Sequence, residues 1–111
     1  MAGLLPPDAY AMDMDGVTMI YFKDAPDTMV ITTKEIIDGT KPVLYVSHDK
    51  EDGMWQFFDG SMKFDIDCAR IVSLEEMLEI DNSLASIGDL PLGWIAERDN
   101  RKAFWKRVEK E

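Results

Sequence analysis

Asp13-Met14-Asp15-Gly16 places two carboxylates two residues apart, directly before a glycine. Such a pair serves phosphoryl transfer when one carboxylate attacks phosphorus, the other moves a proton, and magnesium neutralises the charge. That chemistry needs a buried strand that ends at the pair. Here Pro6, Pro7 and Asp8 stand upstream, and 111 residues are too few for the rest of such an enzyme. The segment reads instead as an acidic turn before a strand.

Two acidic stretches end in glycine and invite comparison with calcium loops, in which acids fill the first, third and fifth positions and glycine the sixth. Counting back from Gly16 puts Ala11 first. Counting back from Gly53 puts His48 first and Lys50 third, and a glutamate is missing at both twelfth positions, Phe22 and Asp59. No dedicated metal site is expected, and no cofactor. His48 and Cys68 are the only residues of their types. A zinc site would need carboxylates to complete it, without paired ligand spacing, and a Cys-His nucleophile pair would need the two to meet in space. The simpler assignments are a core or boundary position for Cys68 and closure of a hairpin loop for His48. With Asp13 and Asp15, these two are the residues on which small-molecule binding, metal binding or a minor enzymatic activity would rest.

The elements around these residues follow from pattern. Residues 1–9 read as an irregular leader, since Pro6-Pro7 removes donors and restricts its neighbours. Val17 to Phe22 and Met29 to Thr32 are short β-rich runs separated by a turn at Lys23–Asp27. Thr32 or Thr33 can cap a short helix that Gly39 ends. Val43 to Ser47 has the composition of a buried strand, and Met54 to Phe58 follows it after a polar loop closed by Asp52-Gly53. Residues 43–58 therefore predict a β-hairpin with Trp55 and Phe57 on one face and Met54, Gln56 and Phe58 on the other.

Downstream, Ala69 to Val72 is a short apolar run. Ser73-Leu74-Glu75-Glu76 is a capping box that opens a helix with Leu74, Met77, Leu78 and Ile80 on its apolar side. Trp94 to Ala96 reads as a strand. Asp99 or Asn100 is expected to cap a last helix whose apolar side is Ala103, Phe104 and Val108, with Trp105 beside it. The whole predicts one α+β domain over 1–111: a small, mostly antiparallel sheet with two or three helices packed on one face.

Charge is the extreme property. Twenty-two acids oppose twelve bases, a formal net charge of −10. Such a field repels phosphate backbones and anionic lipid, so neither nucleic acid nor membrane is an expected partner. No apolar stretch reaches the roughly 20 residues of a spanning helix, and the N-terminus has no signal-peptide pattern. One cysteine suits a reducing cytosol, so a cytoplasmic location is expected. Acidic surfaces speed association with basic ones. The stretch Arg98–Lys110 runs the other way, with six basic residues.

Trp55, Trp94 and Trp105 with Phe57, Phe58 and Phe64 supply most of the aromatic mass. An aromatic left exposed on the hairpin beside Asp49, Glu51, Asp52 and Asp59 would anchor a basic protein. The candidate partner-binding set is therefore Asp49, Glu51, Asp52, Trp55, Asp59 and Trp94, with no catalytic residue in it.

The run Asp52-Gly53-Met54-Trp55-Gln56-Phe57-Phe58-Asp59-Gly60 resembles the Asp-Ser-Gly-Trp-x-Phe-x-x-Gly stretch of a family of small bacterial proteins of unknown function, held to be the thirty-third type of immunity protein in polymorphic toxin systems. Leu90-Pro91-Leu92-Gly93-Trp94-Ile95-Ala96-Glu97-Arg98 is similar to its closing segment. The similarity spans roughly residues 43–99. It departs from the family pattern at Ser61-Met62, where acids usually follow the glycine, and in the spacing before the tryptophan. What the resemblance implies is an α+β protein without catalysis that neutralises a toxin. A strongly acidic inhibitor of that kind would fit a basic nuclease, because it imitates the phosphate charge such an active site attracts. The sequence leaves oligomeric state open.

Overall fold

A computed structural model describes residues 10–11, 21–61 and 66–110. Asp13, Asp15 and the leader 1–9 lie outside the described residues, as does most of the run 17–22. Strands β1 (Tyr10–Ala11) and β2 (Tyr21–Phe22) pair antiparallel in a small ribbon. The remaining strands are β3 (Met29–Thr33), β4 (Tyr45–His48), β5 (Trp55–Phe58), β6 (Ala69–Ser73), β7 (Trp94–Glu97) and β8 (Lys106–Glu109). They form one six-stranded sheet in the order β6-β3-β5-β4-β7-β8. Every pairing in it is antiparallel except β3 with β5. This is the α+β architecture expected from the sequence.

Strand alternation decides what each face carries. Val30, Val46, Trp55, Phe57 and Ala96 point to one side and are buried. Against them pack Ile36 of α1 (Lys34–Ile37), Leu74, Met77 and Leu78 of α2 (Leu74–Ile80), and Leu84 and Ile87 of a 3-10 turn over Asn82–Ile87. The positions 74, 77 and 78 are one helical stripe, and each such buried side chain stabilises the fold by about 1.5–3 kcal/mol.

The helix starts are local chemistry. Thr33 caps α1 by accepting from the Ile36 amide, while Thr32 turns inward and donates to the Phe57 carbonyl at 2.9 Å. Ser73 caps α2 in a complete box: its Oγ accepts from the Glu76 amide at 3.1 Å, and the Glu76 carboxylate accepts from the Ser73 amide at 2.9 Å. Asp81 ends α2 in an extended conformation and accepts from the Ser83 amide, which opens the 3-10 turn.

The expected closing helix over 99–108 does not form. Asn100 makes a tight turn in which its side chain accepts from the Lys102 amide at 2.9 Å and its carbonyl from the Ala103 amide. Lys106–Glu109 then pair with the free edge of β7 as β8. Trp105 packs against the core while Phe104, its neighbour, is 96 % exposed, an alternation that belongs to extended chain. Satisfying the open edge of β7 outweighed a weak local helix signal.

Candidate functional site

The register brings several loops to one end of the sheet. His48 lies opposite both Trp55 and Trp94, Trp94 opposite Glu109, and Met29 opposite Ser73. β3 and β5 run parallel and so begin at this same end. The chain between β2 and β3, the β4–β5 connection, the first turn of α2 and the segment entering β7 therefore converge there. They carry Asp24, Asp27, Asp49, Glu51, Asp52, Glu75, Glu76 and Asp89, with Glu109 closing β8. The bases among them are Lys23, Lys50 and Lys110, and Arg107 is ion-paired with Asp89 at 2.7 Å.

Aromatic and polar contacts fix this end from below. The His48 ring stacks on Trp55, centroids 3.9 Å apart, and its Nδ1–H donates to the Leu90 carbonyl at 2.8 Å. That bond ties the segment entering β7 to the sheet. Trp55 Nε1 donates to Asp24 at 3.1 Å and Phe22 meets the indole edge-on at 4.9 Å. Asp49 accepts from Ser47 Oγ at 2.7 Å and from Gln56 Nε2 at 2.6 Å, while Asp52 accepts from the Met54 amide. Gly93 has a φ of +84° and its amide donates to the His48 carbonyl at 2.7 Å. A side chain there would be strained by the positive φ, although it would meet Lys50 only at ordinary contact distance, so glycine is favoured.

The carboxylates thus divide in two. Asp24, Asp49, Asp52 and Glu76 hold backbone and side chains in place. Asp27, Glu51 and Glu75 are exposed, as is Glu109, and none of these four carboxylates has a hydrogen bond or ion pair among the described residues. A fixed scaffold presenting unpaired carboxylates attracts cations over a distance of about a Debye length, about 8 Å at physiological ionic strength.

The expected site is partly assembled and partly dispersed. Asp49, Glu51 and Asp52 sit together in the β4–β5 connection. Trp94 is half-buried against the core at the same end. Trp55 is 1 % exposed, so it supports this surface and cannot be its anchor. Its side chain fills the sheet's core face because helices need a large apolar partner there. Asp59 follows the far end of β5, about 13 Å away at about 3.3 Å per residue, and pairs with Lys41 at 3.3 Å. Partial burial pushes its carboxyl up, but the Ser61 amide and hydroxyl and the Lys41 ammonium together hold it below the ordinary value. Asp24, Asp27, Glu75, Glu76, Asp89 and Glu109 were not in the expected set. Only strand order joins them to it.

His48 and Cys68 lie on opposite sides of the sheet. His48 is on the core face with Trp55, and Cys68 borders a groove on the other face, its thiol 3.5 Å from Glu35 Oε2. No group of three His, Cys, Asp or Glu among the described residues could hold a metal ion. No described helix is long and apolar enough to cross a membrane.

The groove occupies about 860 Å³ on the face away from the helices, bounded by β6, β3, β5, β4 and the 3-10 turn Ile66–Cys68. Its apolar floor is Ile31, Tyr45, Phe58 and Ile71, and a second cleft of about 370 Å³ continues it toward Phe104. The acids lining the two are Glu35, Asp59, Glu97 and Asp99, and the exposed or part-exposed bases are Lys41, Arg70 and Lys106. The lining of these two clefts is within one charge of balance, unlike the loop end.

The sequence matches no protein-family model, no curated protein and no solved structure.

Proposed function

We propose that this chain is a non-enzymatic binding protein that docks a basic protein on the acidic loop end of its sheet, in the manner of an immunity protein that neutralises a toxin. The observation that carries the reading is the convergence of exposed, unpaired Asp27, Glu51 and Glu75 on loops braced by His48, Trp55 and Asp49. Complementary charge raises association rates and sets orientation, and a preorganised scaffold reduces the ordering cost of binding. Half-buried Trp94 stands among these acids as the aromatic available to the contact. The overall charge of −10 favours the same class of partner.

The test is affinity capture from the organism's own extract, comparing the native protein with an Asp27→Lys, Glu51→Lys variant. A basic protein should be retained by the native chain, released by added salt and absent from the variant's eluate. An identical captured set for both proteins would overturn the reading. Co-expression with the captured protein then reports neutralisation: the native chain should restore growth and the variant should not.

A second reading, small-molecule binding in the 860 Å³ groove, is favoured by its apolar floor and a volume within the range of ligand pockets. His48 does not reach it, and Cys68 and Glu35 are the groups that border it. A melting screen against metabolites would show stabilisation by mass action, and flat curves would exclude this reading.

A further inference from the structure

We propose that the open face of the six-stranded sheet pairs with the same face of a second copy of this chain. Alternation puts an apolar side chain from every strand on this face: Ile71 of β6, Ile31 of β3, Phe58 of β5, Tyr45 of β4, Ile95 of β7 and Val108 of β8. Ile71 is 65 % exposed at one edge and Val108 50 % at the other, and Met29, on β3 next to Ile71's strand, is also 50 % exposed. Tyr45 and Phe58 stack at 6.5 Å in the middle of it. Among the described residues neither α-helix packs across this surface; Glu35 of α1 and the 3-10 turn Ile66–Cys68 border it at one end. The apolar positions run from one edge of the sheet to the other, interrupted at the centre by Gln56 and Ser47, which hold the Asp49 carboxylate, and an exposed apolar surface of this extent marks an interaction site.

Charge selects the occupant. The chain carries −10, so two copies repel wherever their acidic surfaces approach. Along the groove and cleft of the open face Glu35, Asp59 and Glu97 are matched by Lys41, Arg70 and Lys106; the acids in excess are Asp99 and, at the loop-end rim, Asp49, which accepts from Ser47 and Gln56. This is where a second copy meets least repulsion, and a twofold axis can set the bases of one copy against the acids of the other. A basic partner finds more unpaired acids at the loop end and is drawn there. Two such faces would stack about 10 Å apart, with strands inclined by about 30°.

Sedimentation equilibrium of the full chain, from micromolar to near-millimolar concentration, tests the pairing. A monomer–dimer equilibrium is expected, strengthened severalfold by salt because screening relieves the repulsion of two acidic bodies. Capture of a basic partner should weaken with salt, so the two associations respond in opposite directions. Ile71→Glu should weaken dimerisation at least about tenfold, because it desolvates a carboxylate in the apolar contact. Its circular dichroism and melting should stay close to native, since Ile71 lies exposed in the single chain. Val108→Asp, on the far strand, should act likewise, and Asp27→Lys, Glu51→Lys should leave self-association intact. A monomer at every concentration, or a dimer unaffected by both open-face substitutions, would overturn the proposal.

Discussion

Arg98 and Asp81 form a buried ion pair at 2.8 Å, with side chains 1 % and 5 % exposed. The guanidinium uses its remaining donors on the Val43 carbonyl, twice, on Ser83 Oγ and on the Arg101 carbonyl, and it lies 4.2 Å from the centre of the Trp105 ring. One side chain thus joins the exit of β7, the end of α2, the entry to β4 and the turn before β8. Removing Arg98 leaves the buried Asp81 carboxylate with only the exposed Arg101 at 3.7 Å and the Ser83 bonds to offset its charge. Arg98→Ala should therefore destabilise the protein by about 3–5 kcal/mol in urea unfolding. Arg98→Lys should recover only part of this, because an ammonium cannot reproduce the planar fork.

Trp55 is the floor beneath the acidic loops, touching Phe22, His48 and Phe57 and bonding to Asp24. Trp55→Ala should cost about 3–5 kcal/mol, the usual range for deleting a buried large aromatic. Trp55→Phe keeps most of the packing but loses the bond to Asp24. It should cost about 1 kcal/mol and loosen the Lys23–Thr28 loop, seen as faster amide exchange there.

The capping box at Ser73 gives a smaller, local test. Ser73→Ala deprives the Glu76 amide of its acceptor and should cost about 1 kcal/mol. Because α2 holds Leu74, Met77 and Leu78 in the core, the loss should register in global thermal unfolding as well as in local exchange.

Asp59 links stability to pH. Its carboxyl is held below the ordinary value by Ser61 and Lys41 despite partial burial. A carboxylate with a lower pKa folded than unfolded stabilises the fold above its unfolded pKa. That contribution is lost as pH falls through the folded value, so the window lies on the acid side of the ordinary carboxylate range. The stability gap between native protein and Asp59→Asn should be present at neutral pH and close in strong acid. NMR titration should place the Asp59 midpoint below that of an unstructured peptide.

How legible each part was depends on the range of its signal. The β4–β5 hairpin, with Trp55 and Phe57 sharing a face, came from alternation and a turn pair, but alternation alone did not say that this face is the buried one; Ser73, and Thr32 or Thr33, announced their helices within four residues. The last segment misled because Asp99, Asn100 and the apolar residues after them satisfy a helix start locally. The waiting edge of β7, more distant, decided it. The parallel β3–β5 pairing and the position of β6 beside β3 are non-local, and no short motif encodes them. The same holds for the site. Asp49, Glu51 and Asp52 were visible as neighbours in sequence, whereas Asp27, Glu75 and Glu109 join them only through strand order. Asp59 looked close because four residues of sequence separate it from Trp55, yet an extended strand turns four residues into the breadth of the sheet.

β8 has a consequence for how far this sheet can grow. It is an outer strand with every residue exposed, and three of its four side chains, Lys106, Arg107 and Glu109, are charged. A strand from another molecule arriving at that border would find free amides and carbonyls, but also charges that a neighbour's β8 in parallel register would repeat. Like would meet like at each rung. In parallel register this border is one that hydrogen bonding invites and charge refuses, so in-register stacking of identical β8 strands is opposed, whereas an antiparallel approach would set Lys106 against Glu109.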